Sequence, residues 1–193
     1  EALLGMNHVP AEYVRFRLAL LKTQSAALDG LSSSACGKIS GIGPDTVSFD
    51  GALLGRIFAD VVAAIREGDR RGGDASRLEE AAAKDSTLLA RIARAAAFEP
   101  DGEYLDSAVG ELGVDSGALL FFGRVLAAPF VTEAVRRLDR SGGKEAKSRN
   151  CPSCGSPPGL AKLRREEGRR VLFCPLCGES WESGRVECPF CGE

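Results

Sequence analysis

Along the first 139 positions, apolar residues recur every three to four residues in several separate runs, the period of helices that bury one face. The first run covers residues 10–28: Pro10 opens it, and Tyr13, Phe16, Leu20 and Leu21 form an apolar stripe. Leu31–Pro44, with three Gly, four Ser and one Pro, reads as a loop. A second helix is predicted from Asp45 to Arg66, with Leu53, Leu54, Ile57, Phe58, Val61, Val62 and Ile65 at helical spacing, stopped by Gly68 and the R-R-G-G-D turn at 70–74. Ala75–Phe98 reads as helix with a break near Asp85-Ser86, where a cap fits. A short helix follows from Pro100-Asp101 to Leu112. The most apolar segment is capped by Asp115-Ser116 and runs through Ala118–Phe122 to Val135; Pro129 inside it predicts a kink or restart.

The pattern then changes. Arg140–Asn150 is rich in Gly, Ser and Lys, with one Ala as its only apolar residue, and reads as a linker. Beyond it Gly159–Leu163 and Arg169–Phe173 read as two strands joined by the polar turn R-R-E-E-G at 164–168, and Glu179–Glu187 as a third. The predicted fold class is a mainly α N-terminal helical domain (1–139), a linker (140–150) and a small rubredoxin-like or zinc-ribbon β module (151–193).

Cysteine placement gives that module its chemistry. Six of the seven cysteines lie after residue 150, as Cys151/Cys154, Cys174/Cys177 and Cys188/Cys191. In a C-x-x-C unit two sulfurs emerge from one tight turn and converge on an ion about 2.3 Å from each. Two units separated by 19 residues supply four thiolates, a complete tetrahedral site at Cys151, Cys154, Cys174 and Cys177. Both are C-P-x-C-G, and the trailing glycine permits the positive φ that turns backbone N–H groups toward sulfur. All four positions are protein thiolates, so no coordination position stays open and the structural reading outweighs the catalytic one. Zinc and iron both accept this donor set, one full site per chain. Such placement also argues against a secreted disulfide scaffold and for a cytoplasmic, metal-bearing protein.

The third unit, Cys188/Cys191, is half a site. A fourth C-x-x-C lost beyond Glu193, a site shared between two chains of a homodimer, and a redox dithiol are its three readings. The knuckle-tip residues Leu176 and Phe190 are candidate partner contacts.

Composition narrows the function classes. The formal net charge is −2, and residues 151–193 carry six basic against six acidic side chains, so no electrostatic footprint for nucleic acid is present. No run approaches 18 consecutive apolar residues, so no membrane span is predicted. The N-terminus shows neither a basic nor a long apolar region of a signal peptide; it starts without Met, and a few native residues are expected before Glu1. His8, the lone histidine, has no triad partner, Cys36 reads as an idle thiol, and Gly41-Ile-Gly43 lacks the strand and third glycine of a dinucleotide fingerprint. No catalytic residue is assigned.

The stretch C-P-S-C-G-S-P-P, then G-R-R-V-L-F-C-P-L-C, then W-E-S-G-R-V-E-C-P-F-C resembles the formate dehydrogenase accessory protein (FdhE) family. The resemblance falls on Cys151, Cys154, Gly155, Pro158, Gly168, Leu172, Cys174, Cys177, Trp181, Arg185, Cys188 and Cys191, and more loosely on Tyr13, Leu20, Gln24 and the L-L-F-F segment. It implies a cytoplasmic accessory protein that binds the catalytic subunit of formate dehydrogenase during maturation and is not itself an enzyme. It also implies two rubredoxin-like sites from four knuckles, of which this sequence has three, and Glu182 stands where the family commonly has His. A nucleic-acid-binding zinc ribbon and a rubredoxin-like redox protein are the alternatives.

Overall fold

The computed structural model describes residues 10–32, 37–67, 72–139, 148–164, 168–184, 188 and 190. His8, Cys36, Cys191 and most of the 140–150 stretch lie outside that description. Among the described residues the elements in order are α1 (Ala11–Ser32), α2 (Gly51–Glu67), α3 (Gly73–Lys84), α4 (Leu88–Phe98), α5 (Glu103–Leu112), α6 (Ser116–Arg136), β1 (Leu160–Leu163), β2 (Arg170–Phe173) and β3 (Ser180–Ser183). The mainly helical part and the small β module follow the predicted class.

Local hydrogen bonds set the helix boundaries. α2 starts at Gly51, later than the predicted Asp45, because Asp50 caps it: its carboxylate accepts the Leu53 N–H at 2.7 Å and its carbonyl the Leu54 N–H at 2.9 Å. Ahead of it, Gly43 and Thr46 close a turn on each other, which places Gly41-Ile-Gly43 in a connection. The predicted break falls at Asp85, whose carboxylate accepts the N–H and hydroxyl of Thr87 at 2.8 and 2.7 Å and also pairs with Arg91. Gly113 ends α5 in the left-handed conformation (φ 63°). Asp115 caps α6 through the Ala118 N–H at 3.0 Å.

Two expectations about the helices change. On α1 the buried residues are Val14, Leu20 and Ala27, while Tyr13 and Leu21 from the predicted stripe are about half exposed. And of the kink or restart expected at Pro129, the restart does not occur: α6 runs through it as one helix. Proline has no N–H for the Val125 carbonyl one turn earlier. The Gln24 side chain on α1 donates to that carbonyl instead. α6 is long and apolar enough by composition to cross a membrane, unlike the sequence expectation, but two thirds (67%) of that window is buried in the protein, as in a core helix.

The described residues pack as two compact units. One holds residues 10–32 and 49–129, with a core that includes Leu54, Ile57, Leu78, Ile92, Leu119 and Leu126, and with Phe58 and Phe122 tilted together at 5.4 Å between ring centroids. Gly123 lets α6 approach α4 closely: a Cβ there would lie 2.4 Å from the Ala96 Cβ and 2.9 Å from the Ile92 carbonyl. The other unit holds residues 37–48 and those from 130 onward. In it Ile39 and Leu138 form a parallel bridge, with Ile39 N–H to Arg137 O at 3.0 Å and Asp139 N–H to Ile39 O at 2.9 Å.

The β module belongs to the second unit. Its three strands are antiparallel in the order β1-β2-β3, with Leu160 opposite Phe173 and Leu172 opposite Trp181. Central β2 buries Val171 and Leu172, whereas edge strand β1 is exposed along its length. The hairpin between β1 and β2 closes on Gly168 (φ 60°), whose N–H reaches Arg164 O while the Arg164 N–H reaches Arg169 O, both at 2.8 Å. That is a glycine bulge, where a left-handed residue is needed.

Candidate metal centre

The two knuckles are built from the same bonds. In the first, Cys151 N–H donates to Ser156 O at 2.8 Å and Gly155 N–H to Cys151 O at 2.9 Å. In the second, Cys174 N–H donates to Glu179 O at 2.9 Å and Gly178 N–H to Cys174 O at 3.2 Å. Each chain reversal needs a left-handed residue at its fifth position, and Gly155 (φ 76°) and Gly178 (φ 73°) supply it. The Cys177 N–H points at the Cys174 sulfur at 3.4 Å, the donor role expected of knuckle amides.

The hairpin carries the knuckles to one point. Gly159 enters β1 with its N–H on Phe173 O at 3.0 Å, and a Cβ on it would lie 2.9 Å from the Pro175 ring of the second knuckle. Trp181 on β3 is buried and donates its indole N–H to Ser148 O at 2.8 Å, fastening the sheet to the chain just ahead of Cys151.

As a result the sulfurs of Cys151, Cys154, Cys174 and Cys177 all lie within 4.8 Å of one another, with Cys151–Cys177 at 3.6 Å and Cys154–Cys174 at 3.5 Å. An ion about 2.3 Å from each sulfur of a regular tetrahedron separates the sulfurs by about 3.8 Å. The donor set and its spacing therefore fit a tetrahedral ion, and the four cysteines could hold one.

Crowded thiols cannot all ionise together, and their mutual hydrogen bonds divide them. Cys151 is lowered to about 7, first by its bond with Cys154, and Cys174 is lowered, first by Cys151. Cys154 and Cys177 are raised, in each case first by Cys151. The shifts thus favour the thiolate at Cys174 and, above about pH 7, at Cys151, and the thiol at Cys154 and Cys177.

The other predicted residues fall differently. Cys188 is half-buried and joins no such cluster among the described residues. Phe190 is 69% exposed, as a contact residue requires, but Leu176 is only 3% exposed and fills the module's interior. The Gly159–Pro175 fit and the Trp181–Ser148 bond have no sequence signal beyond the residues' presence near the knuckles.

A small antiparallel sheet that gathers two C-P-x-C-G knuckles into a four-sulfur cluster defines a zinc-ribbon-type module. In sequence, the chain is similar to the "Protein FdhE homolog" of Pseudomonas aeruginosa, 43% identical over 53 residues, which are 25% of this chain and 17% of that protein. The proteins of the same name from Pectobacterium carotovorum and Pectobacterium atrosepticum are 44% identical over 45 residues, 22% of this chain and 15% of each relative. The matches thus span less than a fifth of each relative's length. No family model matches the chain, and no solved structure does.

Proposed function

We propose that this chain is an accessory protein for the maturation of formate dehydrogenase, which it serves in the cytoplasm by binding the enzyme's catalytic subunit without turning over a substrate. The observation that carries this reading is the assembled four-sulfur module in a chain similar to proteins named FdhE homolog. Cys151, Cys154, Cys174 and Cys177 are its metal ligands, and the ion, zinc or iron, is structural. Four protein thiolates leave it no open position. Bound there, it crosslinks the two knuckles and stabilises a module too small to hold a core alone. Cys188 and Cys191 are half of a second site, and Phe190 is part of the surface that meets the partner.

Two measurements test this. Tagged chain is mixed with purified formate dehydrogenase catalytic subunit, with and without metal; specific co-purification supports the reading, and failure in both states overturns it. Element analysis of anaerobically purified protein gives the identity and ratio of the metal. One ion per chain leaves the Cys188/Cys191 half-site idle, and one and a half means that two chains complete it together.

A further inference from the structure

The sheet has one exposed edge strand, β1. Among the described residues β1 has no neighbour on its outer side, and Leu160 and Leu163 are 65% and 64% exposed. The Arg164–Arg169 hydrogen bond fixes the phase of the ladder. In an antiparallel pair, residues that exchange hydrogen bonds alternate with residues that do not. Arg164, Lys162 and Leu160 therefore turn their main-chain groups toward β2, and Ala161 and Leu163 turn theirs outward. An edge of unpaired N–H and C=O groups is a template for pairing.

Charge selects the occupant. Lys162 stands mid-strand, exposed and without an ion pair among the described residues, and exposed Arg164 follows at the strand's end. A second copy that used both outward residues, Ala161 against the partner's Leu163, would set Lys162 directly opposite its own counterpart. That is a pair without hydrogen bonds, where the strands come closest, and like charges there repel. A strand with a carboxylate at that place attracts. We infer that β1 is a strand-addition site for an extended peptide of another protein, with a carboxylate opposite Lys162 and an apolar side chain beside it against Leu163. Main-chain bonds to Ala161 and Leu163 supply affinity, and these side chains supply selection. The inference does not depend on the formate dehydrogenase reading, because its probe contains no part of that enzyme.

The test titrates isotope-labelled, metal-loaded full chain with the end-blocked peptide Thr-Val-Glu-Val-Thr and its counterpart with Lys in place of Glu, followed by NMR. The expected result is saturable shifts of the Ala161 and Leu163 amides, with the Lys peptide weaker by roughly three- to fivefold. Lys162→Glu should reverse that order while amides elsewhere keep their positions, which shows the fold intact. Unmoved edge amides at millimolar peptide, equal binding of the two peptides, or edge shifts that depend on protein concentration alone, the sign of a second copy, would each overturn it.

Discussion

The side-chain amide of Gln24 donates to the main-chain carbonyl of Val125 at 3.3 Å, across 101 residues of sequence. Val125 lies one turn before Pro129, so this is the carbonyl that the proline leaves without a helical partner. A buried acceptor left open costs about 1–3 kcal/mol. Gln24→Leu is therefore expected to lower stability by about that amount in urea unfolding. In the Pro129→Ala background the main-chain N–H restored by the substitution fills the same role. Gln24→Leu should then cost less than about 0.5 kcal/mol, which a double-mutant cycle measures directly. Equal costs in both backgrounds would separate Gln24 from the proline.

Glycines inside helices should respond to alanine with opposite signs, according to what stands over them. At Gly123 a Cβ meets the Ala96 Cβ at 2.4 Å and the Ile92 carbonyl at 2.9 Å, and the latter is helix backbone that cannot step aside. Gly123→Ala should cost about 1–3 kcal/mol through forced separation of α4 and α6. At Gly110 on α5 nothing lies within 4 Å. Gly110→Ala should instead add up to about 1 kcal/mol by helix propensity alone. Thermal unfolding followed by helical circular dichroism gives both signs.

Asp85 joins α3 to α4 and carries a pH dependence. The bonds from Thr87 hold its carboxyl below the usual range, outweighing the opposing effect of desolvation, and the nearby Arg91 adds a smaller lowering. A lowered folded-state value means that the ionised form is favoured by folding. The contribution is thus fully present above the ordinary carboxylate pKa near 4 and is lost as pH falls through the lower folded value. Asp85→Asn should lower the melting temperature at pH 7 and show a smaller further loss on acidification than the parent chain.

Much of this was legible in the sequence because short-range chemistry decides it. The Asp85 and Asp115 caps and the glycine after each C-P-x-C act within a few residues, and the four sulfurs assemble as their spacing requires. What sequence could not show depends on distant partners. Gln24, 101 residues away in sequence, bonds the Val125 carbonyl that Pro129 leaves open. α1 buries Leu20 of the predicted stripe together with Val14, but leaves Tyr13 and Leu21 about half exposed, since a periodic pattern defines a stripe but the neighbouring helices choose its centre. Leu176 looks like a knuckle-tip contact in the sequence, yet the module packs it inside.

The knuckle glycines and Gly159 should separate backbone strain from steric clash. Gly155 and Gly178 have open space around them, so only their positive φ resists a side chain. Asparagine tolerates that conformation better than β-branched residues do. Loaded with zinc, Gly178→Asn should hold the ion as the parent does, whereas Gly178→Val should lose it faster to a chelator, by a factor of ten for every ~1.4 kcal/mol of strain. Gly159→Ala drives into the Pro175 ring and should also speed loss through the second knuckle. Trp181, the only tryptophan of the chain, reports release as a red shift of its emission once its buried indole meets water.

Proton release on metal binding tests how the thiols share charge. Cys154 and Cys177 are raised and stay protonated in the metal-free cluster, while Cys174 is lowered and Cys151 is lowered to about 7. A tetrahedral ion requires all four as thiolates. Binding at pH 8 should therefore release about two protons per ion, from Cys154 and Cys177, rising toward about three as pH falls below 7 and Cys151 takes up its own. Affinity must fall with acidification, since protons compete for the same sulfurs, and most steeply where the most protons are released. Calorimetric zinc titrations in buffers of different ionisation enthalpy count these protons. Cys174→Ser should remove the metal and with it the proton release, and release near zero for the parent chain at pH 8 would mean that all four sulfurs are already ionised.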